Sequence, residues 1–169
     1  MNLEKIHDEV EIAHRIQEMA QKITRAYGKE SLLIVGILKG ASIFMSDLMR
    51  ALPFPCHYDF IQEKRSAESI NRISFLGGSD WNNYSGNLLL VKDVMHSGVI
   101  ESYLLTQLKS LTVKQVGVAC IIDKPSERKV DLVPDFALFV ENEGIFAGYG
   151  MEHQQTHGNL PYIAKIIGG

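Results

Sequence analysis

The stretch Asn87-Leu88-Leu89-Leu90-Val91-Lys92-Asp93-Val94-Met95-His96-Ser97-Gly98 decides the fold. Leu88 to Val91 is a short apolar run bounded by polar residues, which reads as a strand buried on both faces of a parallel sheet. The strand is expected to end at Lys92-Asp93. An acid, a histidine, a serine and a glycine then stand between it and the helical spacing of Val99 to Leu111. Strand, polar turn and helix in this order are part of a βαβ unit, and the order recurs on either side.

Upstream, Leu32-Leu33-Ile34-Val35-Gly36-Ile37-Leu38 is a second such run. It breaks at Lys39-Gly40, and helical spacing resumes from Ser42 to Leu52, ahead of Pro53. Further strands are expected over Cys56 to Ile61, Val116 to Ile122, Phe136 to Val140 and Ile145 to Tyr149. Apolar residues at Ile12, Ile16, Met19, Ala20, Ile23 and Ala26 predict a helix over Val10 to Tyr27, with Gly28 as its stop. Gln62 to Gly86 is polar and reads as a long loop or hairpin. The expectation is one α/β domain over 1–169, a mostly parallel twisted sheet with helices on both faces.

The chain has 169 residues, 46% apolar and 22% charged, which fits a single globular core and excludes disordered and fibrous classes. A net charge of −3 gives no electrostatic case for nucleic-acid binding. No apolar run approaches the roughly 20 residues of a membrane span, so no membrane partner is expected. The charged opening Met1 to Val10 does not read as a secretory signal. The two cysteines, Cys56 and Cys120, sit in apolar strand-like contexts and read as buried free thiols of a cytoplasmic protein.

In an open α/β sheet, ligands bind beyond the carboxyl ends of the strands. At one such end, Lys39-Gly40 suits an oxyanion, or is a solvated lysine beside a turn glycine. At the other, backbone N–H groups of His96 to Val99 can wrap a phosphate, with the Ser97 hydroxyl and the helix dipole. Asp93 can accept from sugar hydroxyls or hold a hydrated Mg²⁺. His96 can exchange a proton near neutral pH, and the bland alternative is that His96 and Ser97 only cap the helix. No G-x-x-x-x-G-K-[ST] or G-x-G-x-x-G occurs, which excludes P-loop and Rossmann dinucleotide chemistry. Of the other histidines, His7 and His14 read as surface residues of the first helical region and His57 as structural. His153 and His157 have a metal-ligand spacing but read better as a solvated loop.

Five motifs in order, Val35 to Ala41, Leu89 to Gly98, Ile122-Asp123-Lys124-Pro125-Ser126, Gly148-Tyr149-Gly150 and Asn159 to Ile163, resemble hypoxanthine-guanine phosphoribosyltransferases of the type I fold. The resemblance covers nearly the whole chain. It implies transfer of phosphoribosyl from phosphoribosyl pyrophosphate to hypoxanthine or guanine, giving IMP or GMP and pyrophosphate, with Mg²⁺. It implies that Leu38, Lys39 and Gly40 hold pyrophosphate next to a cis peptide. Asp93, His96, Ser97, Gly98, Val99 and Ile100 would hold the ribose and its 5′-phosphate. Lys124 would donate to the purine O6, with Ile145 and Phe146 also at the base. Glu152 falls among these purine-side residues and, with Asp93, would bind metal. The segment 62–86 would be a lid, residues from about 140 onward a small hood, and the assembly a homodimer or homotetramer.

Some positions depart from the family pattern. Lys92 stands for a glutamate, His96 for the acid-base aspartate, and Ile100 for a threonine. Arg65-Ser66 replace a Ser-Tyr pair, Ile145 an aromatic base platform, and Gly158 an arginine. With Asp93, His96 is the expected catalytic pair. A second reading is a weakened paralogue that binds purine nucleotide as a regulator or sensor, and a third, weaker one is RNA binding.

Overall fold

A computed structural model of the chain describes residues 2–28, 30–62, 75–78 and 80–168. The chain runs β1 (Asn2–His7), α1 (Glu9–Tyr27), β2 (Leu32–Leu38), α2 (Ser42–Ala51), β3 (His57–Gln62), β4 (Asn87–Met95), α3 (Val99–Leu108) and β5 (Val116–Asp123). A 3₁₀ turn, Pro125–Glu127, precedes β6 (Phe136–Val140), β7 (Phe146–Ala147) and β8 (Ile163–Ile167). Among the described residues the strands form two sheets, ordered β3-β2-β4-β5-β6 and β1-β8-β7. Every pairing in the first is parallel, as the apolar runs required.

That sheet separates two apolar layers. Ile34 and Leu89 face the layer built by α1 and α2, with Ile16, Ile23, Phe44 and Leu48. Leu33 and Leu90 face the layer under α3, with Leu105 and Leu108. Alternate residues of one strand serve opposite layers, so no strand position can be polar without a partner. Met19, Met45 and Leu48 are core residues, as their spacing indicated. Asp8 caps α1, accepting from Glu11 N at 2.9 Å.

Several boundaries differ from expectation. β4 does not stop at Lys92-Asp93: its ladder with β5 continues through Val94↔Ile122 and Met95↔Asp123, so Asp93 is a strand residue. α3 ends at Leu108, short of Leu111, where Leu111 N instead closes a turn on Leu108 O at 3.1 Å. The strand expected over Ile145 to Tyr149 is only Phe146–Ala147, because Gly148 and Tyr149 have φ of +93° and +49° and turn the chain. Tyr149 is buried and its hydroxyl donates to Asp47 Oδ2 at 2.7 Å. Burial, then that bond, pushes its pKa up.

β1 and β8 were not anticipated. They pair antiparallel, and β7 joins β8 on the other side. His7 accordingly ends a strand and is not a surface residue of a helix. Its ring stacks on Phe139 with 3.6 Å between centres, and its nitrogens lie 3.0 and 3.2 Å from carboxylate oxygens of Glu11 and Glu141. Cys120 is buried and Cys56 only half-buried, and burial raises the pKa of both thiols. Much of the 62–86 segment, including Arg65 and Ser66, lies outside the described residues.

The described end of that segment is tied to β3 by the Leu76 N to Phe60 O hydrogen bond at 2.8 Å and by a buried carboxylate. Asp59 of β3 is 2% exposed. It accepts from Phe60 N, Gly77 N and Trp81 Nε1, each at 2.7 Å. Removing it orphans three donors, each worth about 1–3 kcal/mol when left unsatisfied and buried. Asp59→Ala is therefore expected to lower the melting temperature by at least about 4 °C, with a red-shifted Trp81 fluorescence as the loop detaches. Thermal unfolding followed by tryptophan emission checks it; an unchanged spectrum would show that Asp59 does not hold the loop.

Candidate active site

The order β3-β2-β4-β5-β6 reverses direction between β2 and β4: from β2 the chain crosses to β3 on one side, from β4 to β5 on the other. Helices leave the two strand ends in opposite directions, and a crevice opens at this switch point. Both turns singled out from the sequence meet there. The backbone of Gly40 lies against Asp93 so closely that a Cβ at position 40 would sit 1.8 Å from Asp93 Oδ2. Asp93 Oδ1 accepts from Val94 N at 2.7 Å. The Leu38–Lys39 peptide is cis.

The turn after β4 is short and fixed. Gly98 takes φ +75° as the residue before α3, a conformation a side chain would strain. α3 has no side-chain cap, so N–H groups of its first turn point beyond the helix end into the turn. Val99 N does reach Ser97 Oγ, at 3.4 Å. Such an end, with its partial positive charge, suits a phosphate. Arg128 braces the turn from below: Nε donates to His96 O at 2.9 Å, and a guanidinium nitrogen pairs with Asp123. Lys129 N donates to Ser97 O at 2.9 Å.

A cleft of about 600 Å³ opens over these elements. Asp93, His96, Lys124, Ile145, Phe146 and Glu152 all line it, as do Lys92 and Glu127. Lys124, at the end of β5, is 3% exposed. Its ammonium donates to Gly144 O at 2.9 Å, pairs with Glu127, and lies 5.6 Å from the centre of the Phe146 ring. Ile145 is 59% exposed, an apolar surface at the cleft edge, while Phe146 is buried beneath it. Lys39 Nζ meets Glu152 Oε2 at 2.8 Å, which brings the β2 turn and the segment after β7 together. His153 and His157 stand on a small hairpin closed by His153↔Thr156, and His157 Nδ1 lies 2.6 Å from Thr156 Oγ1. Among the described residues no cluster of three or more metal-type ligands occurs.

Of the site residues expected from sequence, the cleft lining includes Asp93, His96, Lys124, Ile145, Phe146 and Glu152. Leu38, Lys39 and Gly40 at the β2 turn, and Ser97, Gly98, Val99 and Ile100 at the start of α3, stand apart from its lining. Sequence reasoning missed Glu127, Arg128 and Gly144. The first two follow the quoted Ile122 to Ser126 motif directly, but nothing in their spacing shows that they reach back to His96.

Lys92 acquires a partner across the turn. Its ammonium lies 3.3 Å from Glu101 Oε1, with side chains 13% and 5% exposed. The charge that replaces an expected glutamate is thus balanced inside the protein rather than added outright to the cleft. Glu101→Ala leaves a half-buried cation without this partner and is expected to cost about 3 kcal/mol in urea unfolding. The double variant Lys92→Met, Glu101→Leu should recover most of that loss. A single-variant cost below about 0.5 kcal/mol would show that the pair behaves as an exposed one.

Similar proteins share this architecture. A family model for the phosphoribosyl transferase domain matches residues 2–155. The hypoxanthine phosphoribosyltransferase of Buchnera aphidicola is 30% identical over 96% of this chain and 94% of its own length. That of Escherichia coli is 32% identical over 94% and 92%. The crystal structure of a hypoxanthine-guanine phosphoribosyltransferase from Bacillus anthracis superposes with a TM-score of 0.88 at 26% identity, covering 99% of this chain and 100% of that one. No helix of the described residues is long and apolar enough to cross a membrane. A parallel sheet with its cleft at the switch point, a matched family model over most of the length and relatives alike from end to end place this chain in the phosphoribosyltransferase family, among the hypoxanthine-guanine enzymes.

Proposed function

We propose that the protein is a purine-salvage enzyme that transfers phosphoribosyl from phosphoribosyl pyrophosphate to hypoxanthine or guanine. The observation that carries this is the convergence of Asp93, His96 and the buried Lys124 in one cleft beside an uncapped helix end. The 5′-phosphate sits on the turn His96 to Ile100, taking backbone N–H groups and the Ser97 hydroxyl. Asp93 accepts from the ribose hydroxyls. Lys124, fixed by Gly144 O, donates to the purine O6, which an amino group at that position could not accept. Ile145 and Phe146 offer the base an apolar wall. Leu38, Lys39 and Gly40 receive pyrophosphate, and Lys39 leaves Glu152 to do so.

Asp93 and Glu152 would hold Mg²⁺ together with phosphoribosyl pyrophosphate. The donor set fits an ion that keeps substrate oxygens and waters, since Asp93 and Glu152 offer separate carboxylates on the cleft. When bound, the ion neutralises charge on the departing group. Residues 62–86 act as the lid that excludes water, and residues from about 140 onward as the hood. We place the enzyme in the cytoplasm, as a homodimer or homotetramer.

The test is direct. Pure protein is mixed with Mg²⁺, phosphoribosyl pyrophosphate and each 6-oxopurine, and IMP, GMP or XMP is followed, with His96→Asp in parallel. Product from the unaltered protein is expected. No product from any base, alongside measurable GMP binding, would overturn the reading and make the chain a nucleotide-binding protein.

A further inference from the structure

Glu127 faces two cleft groups at once. One carboxylate oxygen lies 2.9 Å from His96 Nδ1, and the other meets the ammonium of Lys124. The His96 and Glu127 side chains are 54% and 45% exposed, so their Coulomb attraction alone is worth little. The backbone adds what that attraction lacks. Arg128 Nε donates to His96 O, and Lys129 N donates to Ser97 O, both at 2.9 Å. Three consecutive residues, Glu127 to Lys129, therefore lace the His96 turn to the segment that follows Lys124.

The state of the ring follows from valence. Hydrogen bonds from Lys124 and then His96 hold the Glu127 carboxyl below the usual carboxylate range. An ionised carboxylate only accepts, so the Nδ1 that meets it carries a proton. Neutral His96 then keeps its lone pair on Nε2, the nitrogen left for a ligand in the cleft that His96 lines. The other charged groups on that cleft are Lys92 and Asp93 of β4, Lys124 just after β5, and Glu152. Arg128 stands behind the turn.

We propose that Glu127 is a positioning residue: it fixes His96 in the Nδ1–H tautomer, with Nε2 as the acceptor for the purine N7 proton, and through the same carboxylate it sets Lys124 for O6. This role rests on the reaction proposed above. As N9 forms its bond to ribose C1′, the C1′–O bond to pyrophosphate breaks and its electron pair leaves on oxygen. The N7 proton passes to Nε2, and the imidazolium so formed is stabilised by Glu127. Reading the base and removing its proton are thereby coupled through one side chain.

The experiment uses the full chain, ¹⁵N-labelled, with His96 ring signals assigned by their loss in His96→Asn. The Nδ1–H tautomer is expected in the unaltered protein, and a mixture of tautomers in Glu127→Gln. With phosphoribosyl pyrophosphate and hypoxanthine, Glu127→Gln should lower kcat roughly ten- to hundredfold, within the range of a general base, with little change in KM. Glu127→Asp, which keeps the carboxylate, should recover part of kcat. An unmoved tautomer in Glu127→Gln overturns the positioning role, and so does a moved tautomer with unchanged kcat. If the unaltered protein makes no nucleotide, the proposed reaction fails, while the ring signals still decide whether Glu127 sets His96.

Discussion

Lys124→Met is expected to lower kcat/KM for a 6-oxopurine by about 10²–10³-fold, the usual cost of removing one preorganised donor from a reaction site. Lys124 is buried, and its length is matched by Met, so the cavity it leaves is small. What is lost is the ammonium, which meets Gly144 O and Glu127 and faces the cleft. The Gly144 carbonyl loses its donor, at about 1–3 kcal/mol, so the melting temperature should fall by several degrees without unfolding the protein at 25 °C. Selectivity separates recognition from damage. Turnover of hypoxanthine should collapse toward that of adenine, whereas a general packing defect would depress both alike. Steady-state kinetics with the two bases, beside a thermal melt, decides the matter. A variant that keeps its preference for hypoxanthine would remove Lys124 from base recognition.

Gly40→Ala is the second. The added Cβ would sit 1.8 Å from Asp93 Oδ2, 2.6 Å from its Cγ and 2.9 Å from its Cβ. No rotamer of alanine relieves this, so either the β2 turn or the Asp93 side chain must move. Overpacking of this kind costs typically about 1–3 kcal/mol of stability. Its effect on turnover should be larger, since a shift of about 1 Å in a positioned group can cost 10²-fold. The turn carries Lys39 and the side chain is the expected ribose acceptor, so either movement disturbs the site. Gly36→Ala is a useful contrast: its Cβ would meet the Sδ of Met45 at 2.5 Å, within the core rather than in the cleft. Equal activity loss in the two variants at equal loss of stability would show that Gly40 matters only for packing.

Legibility differed between backbone and site. Leu32–Leu38 was read to the residue because a strand buried on both faces announces itself by composition, and Phe136–Val140 because its apolar run is unbroken even at the sheet edge. β1 carries charged residues at Glu4 and Lys5 along an edge, and what makes it a strand is its pairing with β8 at the far end of the chain. That pairing has no local signature. β4 was cut short for the opposite reason: Lys92 and Asp93 look like a turn by polarity, yet Lys92 pairs with Glu101 and Asp93 lines the cleft while the backbone stays in the strand.

By itself, then, the sequence determined the layered α/β order, the helix faces and the two strand ends where chemistry belongs, since periodicity and glycine placement are local physics. Only the tertiary structure decided how those ends combine. That Gly40 rests on Asp93, that Lys39 meets Glu152, that Lys92 is answered by Glu101 and that Glu127 holds both His96 and Lys124 are facts about distance. Except for Lys124 with Glu127 and for Lys92 with Glu101 of the next element, each joins residues far apart in the chain, and a hydrogen bond or ion pair depends on separation in space rather than along the chain.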